Sequence, residues 1–390
     1  MTDLTVITNV MLADGIGRQG IGLINCLKND LSINVMKMQP CSYAGINLEI
    51  ITILNKPLTE FGKVSFWTYI LGINDKITKI HKLLNSEIKI AYSMFESDAI
   101  PKLWVNILNS YYDIVVVPDK WLIDVYKKSG VIKPIFVLPL GIIIDNLLNK
   151  PLKSKINNTF TFGLSASFHG RKNHIKVLNS FKKIFGNDPK FQLNLHGRFG
   201  PIENQVKNAV TESNLKNVKL YCGAMSPQQY DSFMENIDCY IFPSGGEGFS
   251  ITPREVLALG IPCILSNNTA HKTICETGLV IPLKSEKKIP AIYEVFGNKQ
   301  IGNFFDYKEE DLIKLMKDVI DNYGQYLEQS NKGREWVKQY TWDNLKNKYI
   351  NLFKPKNIIL SKENLITEDK LETNDSILYK KLIKVYGKNS

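Results

Sequence analysis

The sequence predicts two doubly wound α/β domains in tandem, each a parallel sheet covered by helices, with a cleft between them. Three observations lead there. The 390 residues exceed the length over which one hydrophobic core ordinarily keeps growing. Short apolar runs alternate with amphipathic stretches along nearly the whole chain, the pattern of βαβ units and so of parallel sheets. The alternation is interrupted by the polar stretch 153–158 after Pro151, and then restarts.

Taken in order, Leu4–Val10 reads as the first strand and 21–27 as helix. Residues 88–95 and Ile114–Val117 read as strands, Trp121–Ser129 as a helix and 135–138 as a further strand. After the break, 160–164, 192–196, 218–221, Cys239–Phe242 and 263–265 read as strands, while 175–185, 227–236 and 254–259 carry helical spacing. The chain thus divides into a first domain at 1–150, a second at 151–340, a helix at 341–353 returning to the first domain, and a polar, lysine-rich tail at 354–390. Apolar residues over 377–386 recur at helical spacing, so the tail is expected either to dock on protein or to lie as a basic amphipathic helix on a membrane surface.

Composition narrows the class. With 44% hydrophobic and 22% charged residues the chain can bury a core, which excludes disorder as its main state. No run approaches the roughly 18 apolar residues that span a bilayer, and residues 1–9 lack a basic region leading into an apolar one, so export is not expected. The six cysteines are scattered, without a C-x-x-C pair, and read as reduced core thiols of a cytoplasmic protein. A formal charge of +11 favours anionic partners without choosing among them.

Ligands of open α/β sheets sit beyond the carboxyl ends of the strands, so the loops there are where chemistry is sought. Residues 242–255, F-P-S-G-G-E-G-F-S-I-T-P-R-E, leave a strand, pass through three glycines and enter a helix. Such a turn exposes backbone N–H groups at a helix N-terminus, where orphan donors and the dipole favour an anion such as phosphate. Pro253 suits the first helical turn, placing the helix start near Thr252 or Pro253. Glu247 and Glu255 stand on either side, separated by seven residues.

This E-x7-E, framed by F-P-S-x-x-E-G-F and followed by E-x-L-A-L-G-I-P-C-I-L-S, resembles glycosyltransferase family 4, retaining enzymes of the GT-B architecture with two facing Rossmann-like domains. The likeness extends to about residue 353. It implies an N-terminal acceptor domain and a C-terminal donor domain. It also implies that Glu255 holds the donor ribose, that Glu247 meets hydroxyls of the transferred sugar, and that Gly248, Phe249, Ser250, Ile251 and Thr252 present amides to the sugar and diphosphate. Lys172, in the loop 165–173, inherits the neutralisation of the departing diphosphate, with Arg171 as helper. Family members commonly carry a further arginine where this chain has Ala166, so either Arg171 supplies that charge or the leaving group is held more weakly.

The same resemblance places the glycine loop of Gly15 and Gly17 against the donor phosphates, with Arg18 on the acceptor side. Arg198 follows another strand at the level of the nucleotide base. The triplet Phe95-Glu96-Ser97 falls where many members have Phe-His-Thr, which puts Glu96 in the histidine's place at the acceptor hydroxyl with Asp98 nearby. An acidic-x-Asp after a strand is also how metal-dependent transferases of another fold hold a divalent ion; the E-x7-E segment and the two-domain pattern oppose that reading.

The implied reaction moves a hexosyl unit from a UDP- or GDP-sugar co-substrate to a glycan or lipid-linked acceptor, with retained configuration, no bound cofactor, no metal and no nucleic acid. The expected setting is cytoplasmic, with peripheral membrane contact as an option. An inverting GT-B transferase and a glycan- or nucleotide-binding protein without turnover stand as the alternatives.

Overall fold

The computed structural model describes residues 2–353 apart from 13 and 74, so the tail at 354–390 lies outside the described residues. Among the described residues the chain groups into two compact units, the first comprising residues 2–143, 292–301 and 340–353, the second 144–291 and 302–339.

Unit 1 runs β1 (Leu4–Val10), α1 (Gly15–Leu27), β2 (Ile33–Cys41), α2 (Leu48–Leu54), β3 (Val64–Trp67), α3 (Asp75–His81), β4 (Ile88–Tyr92), α4 (Lys102–Tyr111), β5 (Ile114–Val117), α5 (Trp121–Ser129) and β6 (Ile135–Val137). Its sheet is ordered β2-β1-β3-β4-β5-β6 and every pairing is parallel. β1 is buried at all seven positions, as a central strand with both faces covered must be.

Two boundaries differ from the sequence reading for identifiable reasons. The apolar run 88–95 outlasts its strand: Ser93 N–H makes a last bond to Val116 O at 2.8 Å, the chain then bends, and Phe95 is apolar because its ring packs on Trp104 at 5.1 Å. Helix α1 begins at Gly15, ahead of the apolar run 21–27, because the glycine-rich segment 14–20 opens the helix and its glycines serve packing. A Cβ on Gly20 would lie 2.2 Å from Thr8 Oγ1, and one on Gly22 would lie 2.3 Å from the Trp342 indole nitrogen.

Unit 2 runs α6 (Asp145–Leu148), β7 (Phe160–Ser165), α7 (His174–Phe185), β8 (Phe191–Gly197), α8 (Glu203–Ser213), β9 (Val218–Cys222), α9 (Pro227–Glu235), β10 (Cys239–Phe242), α10 (Ile251–Ala258), β11 (Cys263–Ser266), α11 (Thr269–Cys275) and β12 (Ile281–Leu283). Its parallel sheet is ordered β12-β11-β10-β7-β8-β9, so the strand order reverses between β7 and β10. The core is built from Phe160, Phe162, Leu164, Leu193, Leu195, Ile241 and Ile264 of the strands with Phe181 of α7 and Met316 beyond.

A separate two-stranded hairpin follows, β13 (Lys287–Tyr293) and β14 (Lys299–Asp306), then α12 (Glu309–Asp321), α13 (Tyr323–Asn331), α14 (Gly333–Val337) and α15 (Trp342–Phe353). The hairpin tip, residues 292–301, groups with unit 1, where Tyr293 packs on Phe95 at 4.9 Å. In unit 1, α15 inserts Trp342 between Gly22 and Gly141, while Tyr349 Oη donates to Pro139 O at 2.9 Å. All six cysteines are free; Cys239, Cys263 and Cys275 are buried, but Cys222 is exposed on β9, so the expectation of six core thiols holds only in part. No helix among the described residues is long and apolar enough to cross a membrane.

Candidate active site

The reversal of strand order in unit 2 brings two loops side by side, the one after β7 and the one after β10. The first ends in a tight turn over Gly170–Lys172, with Asn173 at φ 60°, before α7 begins. The second leaves Phe242 and reaches α10 through Ser250, also in the left-handed region at φ 69°. Hydrogen bonds stitch them together: Asn173 Nδ2 donates to Pro243 O at 2.7 Å, and Gly245 N–H donates to Arg171 O at 2.7 Å.

Three donors converge on one carboxylate oxygen. Glu247 Oε1 accepts from Ser244 Oγ at 2.6 Å, from Arg171 Nη1 at 2.9 Å, and from Lys172 Nζ. Glu247 and Lys172 are each only 7% exposed. Burial alone would raise the Glu247 carboxyl, but the charges of Lys172 and Arg171 outweigh it and hold the group at about 2. The carboxylate is therefore ionised, and it balances two cations where water is largely excluded. The Lys172 ammonium also lies 5.1 Å over the Phe242 ring.

The loop around this cluster is fixed from several sides. Glu247 N–H donates to Thr269 Oγ1 at 2.9 Å, and Ser266 Oγ and Asn268 Nδ2 both donate to Ser244 O, at 2.6 and 3.0 Å. Ser250 Oγ lies 2.7 Å from His271 Nε2, whose Nδ1 is 3.0 Å from Ser266 Oγ. Burial drives the His271 pKa down to about 3, so the ring is neutral. Arg254, fully buried, donates to Phe249 O and to Ser250 O (2.8 Å) and lies 3.8 Å over the Phe249 ring. With its hydroxyl on His271, Ser250 leaves the first turn of α10 without a side-chain cap.

Glu255 stands on α10, 4% exposed, and its Oε2 accepts from Tyr230 Oη at 2.8 Å. Gly248 and Phe249 are buried in the loop, while Ile251 and Thr252 begin α10 and are half-buried. Arg198 is half-buried after β8, its guanidinium 5.9 Å over the Phe199 ring. Of the residues singled out from sequence, Glu247, Lys172 and Arg171 are thus in direct contact; Glu255 lies eight positions on with a partner of its own.

The other singled-out residues belong to unit 1. Asp14 caps α1, its Oδ1 accepting from Gly17 N–H at 2.7 Å and its Oδ2 from Asn9 Nδ2 at 2.6 Å. A Cβ at Gly17 would lie 2.1 Å from Met11 O, which accounts for that glycine without a ligand. Arg18 follows on the first turn, half-buried. Glu96 and Asp98 sit in the bend between β4 and α4, half-buried, flanking Ser97, whose Oγ donates to Ile301 O at 2.6 Å. Among the described residues no cluster of His, Cys, Asp or Glu is placed to hold a metal ion.

Sequence reasoning missed Tyr230, Thr269, His271 and Arg254 as parts of this site. A charged Arg254 beside Glu255, on a helix otherwise apolar to Leu259, was a readable signal; Tyr230, Thr269 and His271 carried none, since their relevance depends on which elements the fold brings together.

Residues 149–289 match the family described as Glycosyl transferases group 1. The chain is 28% identical over 167 residues to EpsF of Bacillus subtilis, a glycosyltransferase by assignment, and 28% identical over 177 residues to an uncharacterized glycosyltransferase of Methanocaldococcus jannaschii. These alignments cover 42% and 43% of this chain and 43% and 41% of the relatives, so the chain spans less than half the length of the curated relatives it matches. Among solved structures it is similar to Anabaena HepE in complex with UDP and glucose (TM-score 0.66, 11% identity, 91% of this chain and 100% of that one). It is similar also to the sucrose-phosphate synthase of Thermosynechococcus elongatus (TM-score 0.67, 13% identity, 91% and 99%). The fold is that of GT-B glycosyltransferases, and residues 149–289 carry the match to a glycosyltransferase family.

Proposed function

We propose that this chain is a retaining, metal-independent glycosyltransferase of family 4 that moves a sugar from a UDP- or GDP-sugar to a hydroxyl of a glycan or lipid-linked acceptor. The observation that carries this reading is the meeting of Lys172, Arg171 and Glu247 at the carboxyl ends of β7 and β10, on either side of the reversal in strand order. Two cations beside the uncapped start of α10 suit a diphosphate. The UDP and glucose held by the Anabaena protein support a nucleotide-sugar donor.

In the reaction the bond from the sugar C1 to the diphosphate oxygen breaks, a bond from C1 to the acceptor oxygen forms on the same face, and the acceptor proton passes to the departing phosphate. Lys172, Arg171 and the amides from Gly248 to Thr252 stabilise the negative charge that develops on the leaving group. Glu247 neutralises the two cations until the diphosphate takes them over, and its carboxylate then serves hydroxyls of the transferred sugar. Arg171 thereby supplies the charge that Ala166 does not. Glu255 accepts hydrogen bonds from the ribose, and Arg198 faces the base or a phosphate. In unit 1 we assign the loop of Gly15 and Gly17 to the donor phosphates, and Arg18, Glu96 and Asp98 to the acceptor, with Glu96 orienting the attacking hydroxyl. The enzyme works in the cytoplasm, with peripheral membrane contact where its acceptor is lipid-linked.

A thermal-shift screen against UDP-, GDP- and ADP-sugars tests the donor assignment. One nucleotide series should raise the melting temperature in a dose-dependent way; no shift with any of them at millimolar concentration overturns it.

A further inference from the structure

Tyr230 holds the Glu255 carboxylate from an element fixed for other reasons. Helix α9 opens with Pro227 and a reciprocal capping box, in which Gln229 N–H donates to Ser226 Oγ at 3.2 Å and Ser226 N–H donates to Gln229 Oε1 at 2.8 Å. Tyr230 follows on this stiff first turn. Beside its ring, with centroids 6.4 Å apart, is His196, whose pKa burial lowers. His196 is itself held: Nδ1 lies 2.8 Å from Ser165 Oγ and Nε2 lies 3.1 Å from Gly223 O. Ser165 is held in turn, its carbonyl accepting from Tyr240 Oη at 2.8 Å. Strand β7, strand β8, the loop after β9 and helix α9 thus converge on the residue that meets Glu255.

An ionised carboxylate only accepts, through two oxygens of broad angular tolerance, whereas a phenol donates along one direction. A carboxylate free to rotate can satisfy a single hydroxyl in many orientations. Pinned at one oxygen, it presents its remaining lone pairs in a fixed plane, and that is what distinguishes a vicinal diol from a lone hydroxyl. We propose that Tyr230 is a positioning residue for nucleoside selection, its hydroxyl locking Glu255 Oε2 so that the carboxylate reads the two vicinal hydroxyls of a ribose. The inference rests on the proposed role of Glu255 at the donor ribose.

The test is calorimetric binding of UDP, 2′-deoxy-UDP, GDP and 2′-deoxy-GDP to the full chain and to Tyr230→Phe, Tyr230→Leu and Glu255→Gln. The wild type should prefer the ribonucleotide of the base it binds. Tyr230→Phe, which keeps the ring, should weaken that ribonucleotide about tenfold, the loss of one oriented hydrogen bond to a charged acceptor, and leave the deoxynucleotide within about twofold. Tyr230→Leu should give the same collapse of the ratio if the hydroxyl is what matters. An unchanged ratio in Tyr230→Phe, or tighter ribonucleotide binding showing that the phenol merely occupies the ribose position, overturns the proposal. If Glu255→Gln abolishes the preference while Tyr230→Phe keeps it, only the role of Tyr230 fails; if Glu255→Gln keeps it, the ribose assignment of Glu255 fails as well.

Discussion

A buried carboxylate sharing one oxygen among Ser244, Arg171 and Lys172 is held by charge and not merely by packing, and that gives Glu247 and Lys172 separable roles. If Glu247 is the counter-ion that the diphosphate displaces, Glu247→Gln removes the competitor. UDP or GDP should then bind at least as tightly as to the wild type, while turnover falls about 100-fold with loss of the contact to the sugar. Lys172→Ala should also cut turnover by about 100-fold, but with weaker diphosphate binding and little change for the bare nucleoside. Titration calorimetry beside initial rates separates the two; weaker diphosphate binding in Glu247→Gln would show that the carboxylate does not compete for those cations. At this scale the motif made each residue legible alone. Their contact was not legible, because it depends on β7 and β10 being neighbours though 70 residues of chain and more separate Lys172 from Glu247. Thr269 and His271 work through geometry that no spacing in the sequence encodes.

Elements built from continuous apolar runs were the readable ones. Ile114–Val117 and Cys239–Phe242 have the bounds their hydrophobicity suggests, since each is a short buried run between turn residues, and the amphipathic spacing of Trp121–Ser129 marks that helix as well. Strand β2, with Lys37, Gln39 and Pro40 in its sequence and a mixed burial pattern, gave no such signal. Neither did the hairpin, whose strands open on exposed lysines and bury only Ala291. Helix α15 is held by a fit instead of a pattern: Trp342 fills the space that Gly22 and Gly141 leave, each within 2.3 Å of where a Cβ would stand. Gly22→Ala and Gly141→Ala should therefore each destabilise unit 1 by about 1–3 kcal/mol, the usual cost of overpacking. A loss in urea midpoint with a red-shifted indole emission reports it. Wild-type midpoints in both variants would mean that the indole is loosely seated.

For the molecule as a whole, acid should act through buried bases before it reaches the carboxylates. Burial lowers His81 and His174 to about 4 and His271 to about 3, against an ordinary 6.5. A base whose folded pKa is depressed takes up its proton more readily when unfolded, so stability falls as pH drops below 6.5 and keeps falling to about 4 and below. Glu247, held at about 2 against 4.5, adds to the loss only below pH 4.5, where the unfolded carboxyl begins to protonate first. Urea midpoints should be level near pH 7–8, decline through pH 6 and 5, and drop more steeply below 4.5. A midpoint constant from pH 7 to 4.5 would show that these histidines titrate normally.

The central claim is chemical, a sugar transferred from a nucleotide with its configuration retained and without a metal, and the anomer first released tests it most directly. The full chain, in EDTA and without acceptor, is incubated with the donor the thermal screen selects, and the sugar set free by water is followed by proton NMR before it mutarotates. The account predicts slow release of the nucleoside diphosphate with a sugar of the donor's own anomeric configuration, lost in Lys172→Ala. Release of the opposite anomer, or turnover that EDTA abolishes and Mg²⁺ or Mn²⁺ restores, would contradict it.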